Sequence, residues 1–151
     1  MAATIGAFAV RRSVWIRASP GRVWREFESL ERICADGFGQ GHALVAYEPR
    51  VGGRVETDAG GSGSVPLRFG GPVTDFEPAR ELTFENDWLG RGWRAPSSIT
   101  IRLTPALDGT VCELFHHGFE RTGESPGDLL AGFDQGWGMT QLQALRELVE
   151  G

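Results

Sequence analysis

The sequence predicts an α+β domain in which one strand and two short helices precede an antiparallel meander of about six or seven strands and a closing C-terminal helix. Three observations predict it. Short alternating or β-branched segments recur between Ala43 and Phe115, separated by Gly, Pro and Asp-Gly turn chemistry. A Ser19-Pro20 helix start follows directly on the first of the strand-like segments. Residues from about 126 to 150 form the one stretch long enough for a substantial helix.

Residues 10–17 alternate and are rich in β-branched and aromatic side chains, which reads as a strand. Ser19 is then suited to cap a helix, and Pro20 to fill its first position, where the missing N–H removes no bond. Val23, Trp24 and Phe27 share one face of that helix. Leu30 and Ile33 suggest a second short helix ending near Asp36-Gly37. Strands follow at 44–48, 54–57, 65–69, 73–77, 82–88, 98–104 and 110–115. Their separators are Gly52-Gly53, Gly60-Gly61, Gly70-Gly71-Pro72, Pro78 and Asp108-Gly109. Leu107-Asp108-Gly109-Thr110, between two alternating runs, is a hairpin signal.

Alternation assigns faces to these strands. Ile99, Ile101 and Leu103 oppose Thr100, Arg102 and Thr104; Leu82, Phe84, Asn86 and Trp88 oppose Thr83, Glu85 and Asp87. Cys112, Leu114 and His116 oppose Val111, Glu113, Phe115 and His117. One apolar and one polar face describe a sheet covered on one side, with the last helix as the cover. That helix carries a fault. At about 100° per residue, Leu129, Leu130, Phe133, Trp137 and Ala144 form one stripe, while Leu142, Leu145 and Val149 form another, rotated away from it. A π-bulge, kink or break near residues 136–140 would let both stripes meet the sheet. The alternative is a regular helix that begins only near Met139, after a separate turn at 133–137.

The 151 residues fit one domain, with its core at about 8–150, large enough to hold a core without staples. The formal net charge is −5 and all 15 basic residues are arginine, a usage expected of a GC-rich bacterial genome. An acidic chain with scattered arginines lacks the footprint of a nucleic-acid binder. Its apolar runs are too short for membrane insertion, and the N-terminus does not read as a signal peptide, so a cytoplasmic location is expected. Cys34 and Cys112 belong to no CxxC and are expected to be buried free thiols. Oligomeric state is open, a homodimer included.

Several motifs, in order, resemble one family. Ala18-Ser19-Pro20 with Val23-Trp24 resembles a strand-to-helix opening, and Gly52-Gly53-Arg54 a strand-opening glycine pair. Gly71, Val73 and Glu77-Pro78-Ala79-Arg80-Glu81-Leu82 resemble a central G-x-V…E-P…L segment. Residues 99–105, Gly109-Thr110, His116-His117-Gly118-Phe119 and Gly136-Trp137 resemble the terminal strands and last helix. Together they are similar to the heat-shock protein 90 ATPase activator homologue-like family, within the START-like (SRPBCC, polyketide cyclase/lipid transport) superfamily. The resemblance implies a helix-grip fold: a curved antiparallel sheet around a long C-terminal helix, with a cavity between them. The chain departs from the family pattern in three places. Asn86 stands where an aromatic is expected, no Trp-Phe pair follows the second helix, and Gln141 takes the place of a leucine four residues after Trp137.

On this reading a small hydrophobic molecule is the expected partner, held by Phe84, Asn86, Trp88, Ile101, Leu114, His116, Phe133 and Trp137. For each of these residues plain core packing is the competing explanation. The alternatives are a cyclase- or aromatase-like enzyme and a co-chaperone-like ATPase activator, between which fold alone does not choose. Nothing in the sequence demonstrates catalysis. His116 on the covered face and Asp134 on the margin of the first helical stripe are the candidates for acid–base chemistry. A histidine on an apolar face is more often a satisfied structural residue. His116 and His117 point to opposite faces of one strand, His42 stands alone, and no zinc-type spacing occurs, so no metal or cofactor is expected. Gly60-Gly61-Ser62-Gly63-Ser64 lacks the lysine of a phosphate loop and reads as a hairpin loop. Glu85, Asp87, Glu113 and Arg102 are expected as solvated outer-face charges.

Overall fold

The computed structural model describes residues 4–6, 8–29, 43–58 and 67–151. The expected second helix around Leu30 and Ile33, the glycine-rich 60–64 loop, Cys34 and His42 lie outside the described residues. Strand β1 (Ala9–Ile16) leads into α1 (Pro20–Trp24), which continues as one 3-10 turn, Arg25–Phe27. The Ser19 hydroxyl accepts the Arg22 N–H at 3.2 Å, and Pro20 sits in the first turn, as the local sequence requires. The meander follows as β2 (Ala43–Tyr47), β3 (Arg54–Asp58), β4 (Arg68–Glu77), β5 (Glu81–Trp88), β6 (Ser97–Ala106) and β7 (Gly109–His117). A 3-10 turn, Phe119–Arg121, then α2 (Pro126–Gly136) and α3 (Thr140–Glu150) complete the chain. The seven strands form one antiparallel sheet in the order β1-β7-β6-β5-β4-β3-β2.

Gly70-Gly71-Pro72 is not the turn that its composition suggests. It lies inside β4, with Gly70 opposite Asp87 and Val73 opposite Phe84 on β5. The glycine is required by close approach: a Cβ on Gly71 would sit 2.5 Å from the Glu85 carbonyl oxygen. The β4–β5 register then shifts between Val73 and Asp75, and such irregularities bend a strand.

The β6–β7 hairpin forms where expected, with the positive φ on a different residue. Leu107 takes φ 54° while 97% exposed; Gly109 is instead needed because a Cβ there would strike the Ile16 carbonyl and the Trp15 ring. Replacing Leu107 by glycine removes left-handed strain, partly offset by backbone entropy, and is expected to raise stability by about 0.5–1 kcal/mol. An upward shift in thermal melting checks this; a fall would show that Leu107 carries an unrecognised contact.

The terminal helix resolves the conflict between its two stripes by breaking. Residues 137–139 are non-helical, and the Trp137 backbone is extended at φ −86°, ψ 106°. Leu129, Leu130, Phe133 and Trp137 can then pack against Val10 and Phe119, while Leu142, Leu145 and Val149 join the main core with Ile16, Val23, Trp24 and Phe27. The long helix implied by the resemblance is therefore two helices of 11 residues each.

The outer face of the sheet departs from its expected solvation. Thr83, Thr100, Phe115 and His117 are buried there although the alternation pattern assigns them to the polar side. Arginines cover them: the Arg11 and Arg102 guanidinium carbons lie 5.1 and 5.3 Å from the Phe115 ring, and Arg121 donates to the Ser98 hydroxyl at 2.7 Å. Arg102 is accordingly not a free solvated charge; it pairs with Glu81 at 2.7 Å. Beneath this layer His117 Nε2 meets the Thr100 hydroxyl at 2.8 Å, and Thr100 meets Thr83 at 2.8 Å. Cys112 is a buried free thiol, its pKa pushed up to about 12 by burial and then by Glu113.

Candidate functional site

The inner face of β5 carries Phe84, Asn86 and Trp88; β4 adds Phe69 and β6 adds Ile99. Facing them, α2 presents Leu129, Gly132, Phe133 and Gly136, the i, i+3, i+4, i+7 positions of one helical face. Between sheet and helix lies a cavity of about 650 Å³, within the usual range for small-molecule sites. Two of the four α2 positions are glycine. Apart from its chain neighbours and the helix's own backbone, no described atom lies within 4 Å of where a Gly132 Cβ would be, so the helix faces open space at that point. A second hollow of about 320 Å³ lies elsewhere, beside Phe76 and Leu103. Its charged residues pair locally, Arg102 with Glu81 and Arg80 with Glu77.

Six of the eight residues expected to hold a ligand line the larger cavity: Phe84, Asn86, Trp88, His116, Phe133 and Trp137. Ile101 and Leu114 do not; they are buried in the main core beneath it. The sequence reading missed Leu44, Thr57, Leu67 and Phe69, which reach the cavity from β2, β3 and β4 or from next to β4, and also Arg91 and Glu124, which come from loops. The glycine face of α2 was available from helical spacing alone. Arg91 and Glu124, 33 residues apart, had no signal in the sequence.

His116 is 1% exposed and fully engaged. The Trp137 indole N–H donates to His116 Nδ1 at 3.0 Å, so Nε2 carries the proton and donates to Ser97 Oγ at 2.9 Å; Ser97 in turn donates to the Asn86 carbonyl at 2.9 Å. Burial, and secondarily the neighbouring His117, pushes its pKa down to about 3. The ring is thus a neutral tie between β7, β6 and the end of α2, packed 4.4 Å from Phe133 and 4.8 Å from Phe119. Asp134, the other acid–base candidate, is 60% exposed and pairs with Arg12 at 2.9 Å; no hydrogen bond links it to His116.

At one end of the cavity Arg91 forms a fork with the Glu124 carboxylate at 3.1 and 3.2 Å, and the Trp93 indole N–H donates to the same carboxylate. The Arg91 guanidinium also lies 4.5 Å from the Trp88 ring. The hydrogen bond from Arg91, then that from Trp93, holds the Glu124 pKa below its ordinary value. These two charges cancel locally. Among the described residues no group of three His, Cys, Asp or Glu side chains is placed to hold a metal ion, and no described helix is long and apolar enough to cross a membrane.

A seven-stranded antiparallel sheet closed by C-terminal helices, with an apolar chamber between them, defines a protein of the helix-grip class. The chain belongs to the family described as Activator of Hsp90 ATPase homolog 1-like protein, whose sequence profile matches residues 17–150. Among solved structures it is similar to protein CV1439 from Chromobacterium violaceum, at 22% identity and TM-score 0.69 over 97% of this chain and 99% of that one. It is also similar to the Aha1 protein of Colwellia psychrerythraea, described as a dimer, at 16% identity and TM-score 0.64 over 94% and 96% of the two chains. DynU16, a putative protein in the dynemicin biosynthetic locus, matches at 23% identity and TM-score 0.66, over 96% of this chain and 48% of its own. At these identities the likeness is one of fold. No curated protein matches the chain.

Proposed function

We propose that this protein binds a small, predominantly apolar molecule between the sheet and α2. The observation that carries the reading is the chamber of about 650 Å³ with aromatic side chains on the sheet side and glycines on the helix side. Glycine in a helix interior is unfavourable by about 1 kcal/mol relative to alanine. Gly132 and Gly136 keep the chamber open at that expense, where larger side chains would fill it. Binding is favoured over acid–base catalysis because both His116 nitrogens are already engaged. The position of DynU16 in a biosynthetic locus is in keeping with a small-molecule partner.

The test is a thermal-shift screen against fatty acids, sterols and aromatic polyketides, since a ligand specific for the folded state raises the melting temperature. Gly132→Phe projects a ring into the chamber. It is expected to weaken binding of any positive compound at least tenfold, by about 1.4 kcal/mol, while the protein remains folded. If no compound shifts the melting temperature, or if Gly132→Phe leaves affinity unchanged, the chamber is not the binding site.

A further inference from the structure

Asn86 is 6% exposed, lies on the inner face of β5 between Phe84 and Trp88, and lines the chamber. Its backbone carbonyl accepts from Ser97, but its side-chain amide has no hydrogen-bond partner among the described residues. The amide borders the open chamber, so water satisfies it while the chamber is empty, and a guest that displaces that water without replacing its hydrogen bonds forfeits about 1–3 kcal/mol. The flanking side chains on β5 are aromatic, and Ser97, directly opposite on β6, is committed to His116 and the Asn86 carbonyl, so neither competes for the amide. The amide therefore offers two N–H donors and a carbonyl acceptor to whatever occupies the chamber.

The rest of the lining narrows the chemistry. His116 has no hydrogen-bonding capacity left on its ring nitrogens, and Arg91 is matched by Glu124. A buried anion would find no free cation on the described walls, and burying an ion without a partner is strongly unfavourable. Phe69 and Trp88 have ring centroids 5.3 Å apart, and Phe69 and Phe133 are 6.0 Å apart at 71°, so the chamber offers both ring faces and ring edges. Such walls suit a planar aromatic guest better than a flexible acyl chain.

We infer that the ligand is an uncharged aromatic molecule bearing a carbonyl or hydroxyl group, and that Asn86 recognises that group. The inference rests on the proposed binding of an apolar molecule in this chamber and specifies its class. Calorimetric titration with four probes tests it: 9-fluorenone, fluorene, fluorene-9-carboxylate and dodecanoate. The wild-type protein is expected to bind the ketone about tenfold more tightly than the hydrocarbon, the equivalent of one hydrogen bond. Asn86→Leu is expected to erase that preference while fluorene affinity holds or rises, and Asn86→Ala gives the same readout if the leucine variant does not fold. Equal wild-type affinities, or a preference that survives in both variants, overturn the role of Asn86 while leaving the chamber as a binding site. Tighter binding of either carboxylate overturns the neutral aromatic class. If none of the four binds while another compound of the thermal-shift screen does, the aromatic class falls and the binding reading stands; if that screen is also blank, both fall.

Discussion

Acidification from about pH 7.5 to about pH 4.5 is expected to remove about 3 kcal/mol of folding stability through His116 alone. The folded-state pKa is pushed down to about 3, against 6.5 for the ordinary side chain. Between those values the unfolded chain binds a proton that the folded chain refuses, so stability rises with pH across this window. The contribution is fully present above about pH 6.5 and is lost progressively as the pH falls toward 3. His117, also shifted down, chiefly by burial and then by Arg121, acts in the same direction. Urea unfolding at the two pH values, on the wild type and on His116→Gln, isolates the effect. Carboxylates contribute to both proteins, while only the wild type carries the His116 slope. Parallel pH profiles would mean that the ring is not held neutral between Trp137 and Ser97.

Arg12→Met is expected to destabilise the protein by about 2 kcal/mol and to speed amide exchange in α2 about 30-fold, with α3 much less affected. Arg12 donates to the Asp134 carbonyl at 2.8 Å and to the Trp137 carbonyl at 2.7 and 3.0 Å. It thereby satisfies carbonyls that the helix break leaves without intrahelical partners, and places a positive charge at the negative end of the α2 dipole. The ion pair with the Asp134 side chain is the minor part, since that carboxylate is exposed and such pairs are worth at most about 1 kcal/mol. Asp134→Asn should therefore fall well short of Arg12→Met in both measurements. If the two variants match, the carboxylate is the anchor and the carbonyl contacts are incidental. The consequence for function is direct: the α2 helix forms one wall of the chamber, and Arg12 on β1 is a principal tie at its C-terminal end.

The fault in the last helix shows how far periodicity reaches. Stripe arithmetic located a discontinuity near residues 136–140 because both apolar sets must meet one sheet, and a straight helix cannot present them together. It did not choose among bulge, kink and break. That choice depends on Arg12, a residue on β1 that supplies the donors for the freed carbonyls. Alternation likewise put His116 and Asn86 on the inner face, and both line the chamber. It placed Ile101 and Leu114 beside them, but one face can be core at one end and cavity at the other, and alternation carries no information about position along that face. Pattern also failed at Gly70-Gly71-Pro72, where glycine serves the approach of β4 to β5 and not a turn.

Local chemistry in the sequence determined the element order, the Ser19-Pro20 helix start, the β6–β7 hairpin and the split between inner and outer residues, because each depends on near neighbours or on a fixed period. Tertiary structure alone decided what each polar group is left free to do. His116, the most reactive-looking side chain on the inner face, is consumed by Trp137 and Ser97, while Asn86, expected beside it as a ligand contact, keeps an unspent amide. Hydrogen-bond satisfaction is a property of partners brought together from distant strands and helices, and no window along the chain contains them.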